Sequence, residues 1–310
     1  MLKHKWRILQ GALGVVILYF LIIKVLRNWD EFKAQQIEWH LRWEYIIASL
    51  IVTWAMYGLL IIGWRSVLHG WRQWIRIVDA ARIWCLSSLG KYIPGKVWAI
   101  AGMAIMAKQE GVSGAAATGS AIIMQLVSIA TGTIITFALI GTQLLDELWP
   151  GSSIAALVLA ILALVAVLAL TSPSLTRRIG FVVGRPDAVQ PVEPESLAAS
   201  LFTNFLAWAG YGLALQLLLL GTIPNVSLDW ATATGAFAAS YLIGYLALIV
   251  PGGIGVRELV LVLLLKPSIG LAPAAALAVA SRLTLTVNEL GAAIPFLLWR
   301  RPKAVPAENG

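Results

Sequence analysis

Two Pro-Gly sequences interrupt apolar runs of this chain: Gly90-Lys91-Tyr92-Ile93-Pro94-Gly95-Lys96 and Pro251-Gly252-Gly253-Ile254-Gly255-Val256-Arg257-Glu258. Each is followed by a short apolar piece, at 97–107 and 254–265, and then by a long apolar helix. Crossing the hydrocarbon core of a bilayer takes about 20 helical residues, so these pieces are too short to span it. The two sequences therefore predict two broken or re-entrant helical hairpins.

The composition of the whole chain is that of a membrane protein. Hydrophobic residues make up 59% of the 310 residues, charged residues only 12%, and the mean hydropathy is +0.83. A soluble domain has about 25% charged residues, because its surface faces water. We predict an all-α, polytopic membrane protein with about six full spans besides the two hairpins. The predicted spans are approximately 8–26, 45–62, 112–140, 154–170, 197–220 and 271–299.

The domain organisation follows from where polar residues collect. We expect a single transmembrane domain over 1–300, with an extended polar linker at about 171–195 that contains four prolines. Residues 301–310 are expected to form a disordered cytoplasmic tail.

The distribution of lysine and arginine predicts the orientation. Basic residues are concentrated before the first span, at 65–82, at 173–195 and at the carboxyl end, whereas loops 141–153 and 221–229 have none. Cytoplasmic loops carry the excess of Lys and Arg, so both termini should be cytoplasmic. The net charge of +8 is explained in this way. We expect no nucleic-acid partner, because no basic stripe is interleaved with base-stacking aromatic residues.

Residues 64–78 combine a basic face with an apolar face at helical spacing. This pattern predicts an amphipathic helix lying in the cytoplasmic interface. Its basic residues would either anchor and orient the chain or recruit anionic lipid.

The two hairpin regions, about 83–141 and 230–299, align as an internal repeat. At an offset of 159 residues, ten of the 29 positions in 111–139 are identical to their counterparts in 270–298. The predicted topology gives the two copies opposite directions through the membrane. Inverted repeats with broken helices are typical of transporters, whose substrate sites lie where the helices break. The alternative is a pair of proline kinks buried by packing.

Charged residues lie where the membrane core should be. Each costs a few kcal/mol at the bilayer centre, so each needs a partner or a cavity. One alternative pairs Arg282 with Glu289, and Arg257 with the surroundings of Glu258, as structural contacts. The other is a net-positive cavity for an anionic headgroup, with the amino ends of the broken helices assisting. The predicted substrate-binding residues are Lys91, Pro94, Gly95, Lys96, Pro251, Gly252, Gly253, Arg257, Glu258, Arg282, Asn288 and Glu289.

The sequence offers little for an enzyme. Its three histidines are scattered, its single cysteine is Cys85, and it has no HExxH, Gly-x-Ser-x-Gly or Walker sequence. We therefore predict no catalytic residue, no metal site and no cofactor.

At both Pro-Gly sequences and the Arg282-containing last helix, the chain resembles the lysylphosphatidylglycerol synthase transmembrane-region family, also called UPF0104. This is the flippase-type membrane half of the bacterial multiple peptide resistance factor and its stand-alone relatives. The resemblance covers nearly the whole chain and implies lipid translocation between leaflets. It does not imply aminoacyl transfer, which full-length members carry in a separate soluble domain.

The first hypothesis for function is therefore a flippase for an anionic, phosphate-bearing lipid or lipid-linked precursor in the bacterial cytoplasmic membrane. Membrane lipids would be its partners, and a homo-oligomer is left open. The alternatives are a small-solute secondary transporter with the same repeat, and a non-transporting membrane scaffold for a separately encoded enzyme.

The predicted topology can be tested by cysteine labelling on a Cys85→Ala background. A cysteine replacing Leu145 should react with impermeant reagents from outside, and one replacing Arg185 only from the cytoplasm, because the intervening run crosses the membrane once. Labelling of both from the same side would contradict the inverted repeat.

Overall fold

The structure, a computed structural model, describes residues 41–92, 97–140, 150–182, 191–223, 225–247 and 250–298. Every regular element within these ranges is a helix, which confirms the all-α prediction. The α-helices are α1 Trp43–Gly70, α2 Ile77–Ser88, α3 Val97–Gln109, α4 Gly114–Ile140, α5 Ser152–Ala169, α6 Pro173–Val182, α7 Pro194–Thr222, α8 Trp230–Leu246, α9 Val256–Ile269 and α10 Leu271–Leu298.

Four of these helices, α1, α4, α7 and α10, are long and apolar enough to cross a membrane. They correspond to four of the six predicted spans. The predicted span at 154–170 forms α5, a shorter apolar helix, while the span at 8–26 and the tail at 301–310 lie outside the described residues. The polytopic membrane class is therefore confirmed, and the total of six spans stays a prediction.

The outer surface of the bundle is apolar, as a lipid-facing surface must be. On α10, Leu283, Val287 and Leu297 are each at least 60% exposed. A soluble monomer seldom exposes so large a contiguous apolar area.

The predicted interfacial helix at 64–78 is wrong. Helix α1 continues to Gly70, a turn with Arg72 at φ 55° follows, and α2 begins only at Ile77. Part of the apolar side of the predicted helix, at Trp64, Leu68 and Ile75, lies in the core instead. Trp64 is fully buried, and its indole N–H donates to the Ser120 hydroxyl at 2.9 Å.

The predicted polar linker at 171–195 contains one short helix. Residues Pro173–Val182 form α6. Past the undescribed residues 183–190, Val192 is buried and its N–H donates to the Leu170 carbonyl at 2.9 Å.

The two hairpin regions share one order of elements. The first region consists, in order, of helix α2, a 3-10 turn at Leu89–Tyr92, the 13-residue α3 and the 27-residue α4. The second region consists, in order, of helix α8, a 3-10 turn at Pro251–Gly253, the 14-residue α9 and the 28-residue α10. Both Pro-Gly sequences thus separate distinct helices. The opposite direction of the two copies and the depth of the breaks stay predictions.

Glycines allow the long helices to pack closely, as small residues do between membrane helices. A Cβ at Gly212 of α7 would lie 2.6 Å from the Cα of Thr234 in α8. Elsewhere, a Cβ at Gly132 of α4 would lie 2.8 Å from the Trp208 ring of α7. These contacts bring α4, α7 and α8 together around the interior described next.

Replacing Gly212 by Ala should destabilise the protein by about 1–3 kcal/mol, because the added methyl group overlaps the α8 backbone. Gly58→Ala in α1 is the matched control, since a Cβ at Gly58 meets nothing within 4 Å. Thermal unfolding in one detergent should show a lower midpoint for Gly212→Ala only. Equal midpoints for the two variants would contradict the close approach of α7 and α8.

Candidate functional site

The two helix breaks meet in space. The 3-10 turn at Leu89–Tyr92 contacts the 3-10 turn at Pro251–Gly253, although they lie in different halves of the sequence. A Cβ at Gly252 would lie 3.1 Å from the Arg282 guanidinium and 3.7 Å from the Tyr92 ring. The described parts of the two Pro-Gly regions are therefore neighbours.

The second break depends on glycine. Gly252, Gly253 and Gly255 have φ values of 59°, 66° and 84°, in the left-handed region that side chains with a Cβ disfavour. A Cβ at Gly253 would also lie 2.7 Å from the Gly244 carbonyl oxygen. The glycines therefore let this turn approach α8 closely.

Lys91 and Glu289 form an ion pair between the first break and α10. The Tyr92 hydroxyl donates to the other oxygen of the Glu289 carboxylate at 2.7 Å. The Glu289 side chain is only 8% exposed. The predicted alternative that pairs Glu289 with Arg282 is therefore wrong.

Arg282 instead contacts the second break. Its Nη1 donates to the Gly252 carbonyl at 3.0 Å, and its Nε lies 3.6 Å from Glu258 Oε1. The other Glu258 oxygen accepts the N–H of Gly255 at 2.6 Å. Glu258 therefore caps the start of α9, at the position where an anion was expected to bind the free N–H groups of this helix.

Arg257 is more buried than Lys91 and Arg282. It is 6% exposed, and its guanidinium carbon lies 4.8 Å from the Phe237 ring centroid and 5.3 Å from that of Tyr241. Cation–π contacts of this kind stabilise a buried guanidinium partially. Its Nη2 is buried and has no hydrogen-bond partner among the described residues.

We call Lys91, Arg257, Glu258, Arg282 and Glu289 the break cluster. It carries three positive and two negative charges within the described ranges, so its net charge is positive. Lys91, Arg257 and Arg282 line one small cavity of about 70 Å³, which we call the basic cavity. A site of this kind attracts an anion.

A larger cavity of about 190 Å³, the aromatic chamber, adjoins the basic cavity. The two share Lys91, Gln125, Tyr241 and Tyr245 among their lining residues. Five further lining residues of the chamber are aromatic. They are Tyr57, Trp84, Trp208, Tyr211 and Phe237.

The predicted site residues fall into three groups. The break cluster and Gly252 come together, and Pro251 and Gly253 form the turn beside them. Pro94, Gly95 and Lys96 lie outside the described residues. Asn288 is fully buried but does not line either cavity, and its amide atoms have no hydrogen-bond partner in the described part of the chain.

The aromatic chamber was not predicted from the sequence. Gln125 gave a usable signal, because it is an isolated amide in the apolar helix α4. The tyrosines of α7 and α8 gave no sequence signal for the chamber, since aromatic residues also occur on lipid-facing and interfacial surfaces. No group of three or more His, Cys, Asp or Glu side chains that could hold a metal occurs in the described ranges.

Fold and site together define a polytopic helical membrane protein with a net-positive internal cavity where two broken helices meet. The family model described as lysylphosphatidylglycerol synthase TM region matches residues 7–287. The chain therefore belongs to that family and is an integral membrane protein of the lysylphosphatidylglycerol synthase and flippase group. A search of curated proteins found no significant match.

The Lys91–Glu289 pair can be tested by a double-mutant cycle. Glu289→Gln and Lys91→Met should each destabilise the protein by about 1–3 kcal/mol, because each leaves a partly buried group without its partner. The double variant should recover most of that loss, as measured by thermal unfolding. Lys108→Met, at an exposed site of α3, is the matched control. Additive losses in the double variant would mean that the two side chains do not interact.

Proposed function

We propose that the protein moves an anionic, phosphate-bearing lipid or lipid-linked precursor between the leaflets of a bacterial cytoplasmic membrane. The observation that carries the proposal is the guanidinium of Arg257. It is buried beside the basic cavity, and its Nη2 lacks a hydrogen-bond partner among the described residues.

A buried donor on a charged group costs free energy until an acceptor reaches it. A phosphate supplies several acceptor oxygens and the opposite charge, and guanidinium groups bind phosphate with matching geometry. Arg282 Nη2 also lacks a partner in the described part of the chain. Two guanidinium groups beside one cavity therefore favour a phosphate ligand over an uncharged one.

A lipid is favoured as the carrier of that phosphate for two reasons. The membrane-crossing helices present an apolar surface to the bilayer, so acyl or prenyl chains can stay outside while the headgroup enters. The description of the family to which the chain belongs names a lipid, lysylphosphatidylglycerol. Movement of the headgroup past the breaks would require the contacts of Glu289 and Glu258 to open in turn.

The polar cavity at the breaks also bears on the alternatives. A non-transporting scaffold needs no such cavity, so the basic cavity argues against that function. A small-solute transporter would use the same cations, and only the carrier of the phosphate separates it from a flippase. Measuring lipid movement directly distinguishes the two.

Arg257→Gln should impair lipid translocation roughly tenfold or more, because one charge-assisted phosphate contact is worth about 1.5–3 kcal/mol. The measurement is a scrambling assay in proteoliposomes with acyl-chain-labelled anionic lipids. Stability should be retained, since glutamine removes a buried charge that has an unpaired donor. Arg178→Gln, at an exposed site of α6, is the matched control and should transport normally.

Arg282 requires a second variant, because removing it leaves Glu258 without its cation. Arg282→Gln should be unstable as well as inactive, and Arg282→Gln with Glu258→Gln should regain stability but not transport. Full transport by the stable double variant would make Arg282 structural. Absence of translocation of any lipid by the unaltered protein would refute the proposed function itself.

A further inference from the structure

We infer that the aromatic chamber binds an uncharged, hydroxyl-bearing group attached to the substrate's phosphate, such as a glycerol or a six-membered sugar or polyol ring. This inference rests on the proposed function and names the substrate class of the same site. The phosphate would occupy the basic cavity and the hydroxylated group the chamber beside it.

The positions of the two cavities agree with such a headgroup. Arg257 and Arg282 line the basic cavity and not the chamber, and the two spaces meet at Lys91, Gln125, Tyr241 and Tyr245. A group joined to the phosphate by one ester bond would therefore extend directly into the chamber.

The size of the chamber limits what it can hold. An apolar cavity of about 150 Å³ is large enough to bind one benzene ring. The chamber, at about 190 Å³, has room for one six-membered ring or a glycerol, but not for an acyl or prenyl chain. The chamber is therefore a place for part of a headgroup.

The chamber also contains polar groups. The buried Tyr57 hydroxyl has no hydrogen-bond partner among the described residues, and the Gln125 amide lines the same space. Ser128 lies on the same face of α4 as Gln125 and also lines the chamber. An amide and hydroxyls set among aromatic rings suit a ligand with C–H faces and hydroxyl groups, since few polar groups fix its orientation in an otherwise apolar pocket.

A positively charged headgroup fits this site less well. The Glu289 carboxylate, which lines the chamber, already binds Lys91 and Tyr92. The faces of Phe237 and Tyr241, which could bind a cation, already hold the guanidinium of Arg257. An added amine would meet a net-positive break cluster, so an uncharged group is preferred.

The test measures translocation of acyl-chain-labelled lipids by the full chain in proteoliposomes. Phosphatidylglycerol and phosphatidylinositol carry the hydroxylated groups, phosphatidic acid carries phosphate alone, and phosphatidylserine has the same net charge with an amine. At least one of the two hydroxylated lipids should move about fivefold or more faster than both of the others. The faster of the two identifies a glycerol or a ring as the occupant.

Gln125→Leu should lower the ratio of the hydroxylated lipid to phosphatidic acid roughly threefold to tenfold, as expected for the loss of one or two hydrogen bonds. Gln109→Leu, at the exposed end of α3, is the control and should leave the ratio unchanged. If Gln125→Leu does not fold, as judged by size-exclusion chromatography, Ser128→Ala should lower the same ratio.

Equal rates for all four lipids, or a ratio unaffected by both α4 variants, would overturn the inference and leave the proposed function standing. Faster movement of phosphatidylserine would overturn it in favour of an amine-bearing headgroup. A complete lack of lipid movement would instead refute the proposed function.

Discussion

Near the helix breaks of this protein, charged side chains form hydrogen bonds with backbone groups that the breaks leave without helical partners. The site depends on these contacts. Where a helix stops within a bilayer, its backbone groups lose their partners and no lipid can replace them. Here Arg282 donates to the Gly252 carbonyl, and Glu258 accepts from the Gly255 N–H. The same contacts hold ionic groups that an apolar environment would otherwise exclude. The breaks and these charged groups therefore stabilise each other.

Much of this arrangement could be predicted from the sequence, because its signals are local. A Pro-Gly pair within an apolar run marks a break, and a lysine or arginine in such a run marks a special environment. The paired charges, in contrast, lie far apart in the sequence. Lys91 and Glu289 are 198 residues apart, and the order of the sequence does not show which carboxylate faces which cation. Glu258, next to Arg257 in sequence, contacts Arg282 instead.

Two other features could not be predicted correctly from the spacing of apolar and aromatic residues. The interfacial helix at 64–78 was wrong because an apolar stripe looks the same whether it faces lipid or protein, and Trp64 faces protein. The aromatic chamber was missed for the related reason that tyrosine and tryptophan occur both at membrane surfaces and in interiors. Only the packing of α1, α2, α7 and α8 turns these residues toward one space.

The Glu258 carboxylate has a kinetic consequence. It occupies the start of α9 as a tethered anion, so any incoming anion that uses those N–H groups competes with a ligand of the protein's own. Such competition lowers the net affinity by the free energy of the contact that is lost, and returns that free energy when the anion departs. Tight binding slows release, and a carrier must release what it binds in every cycle. A built-in competitor would therefore suit the proposed transport function, in which rapid release matters more than high occupancy.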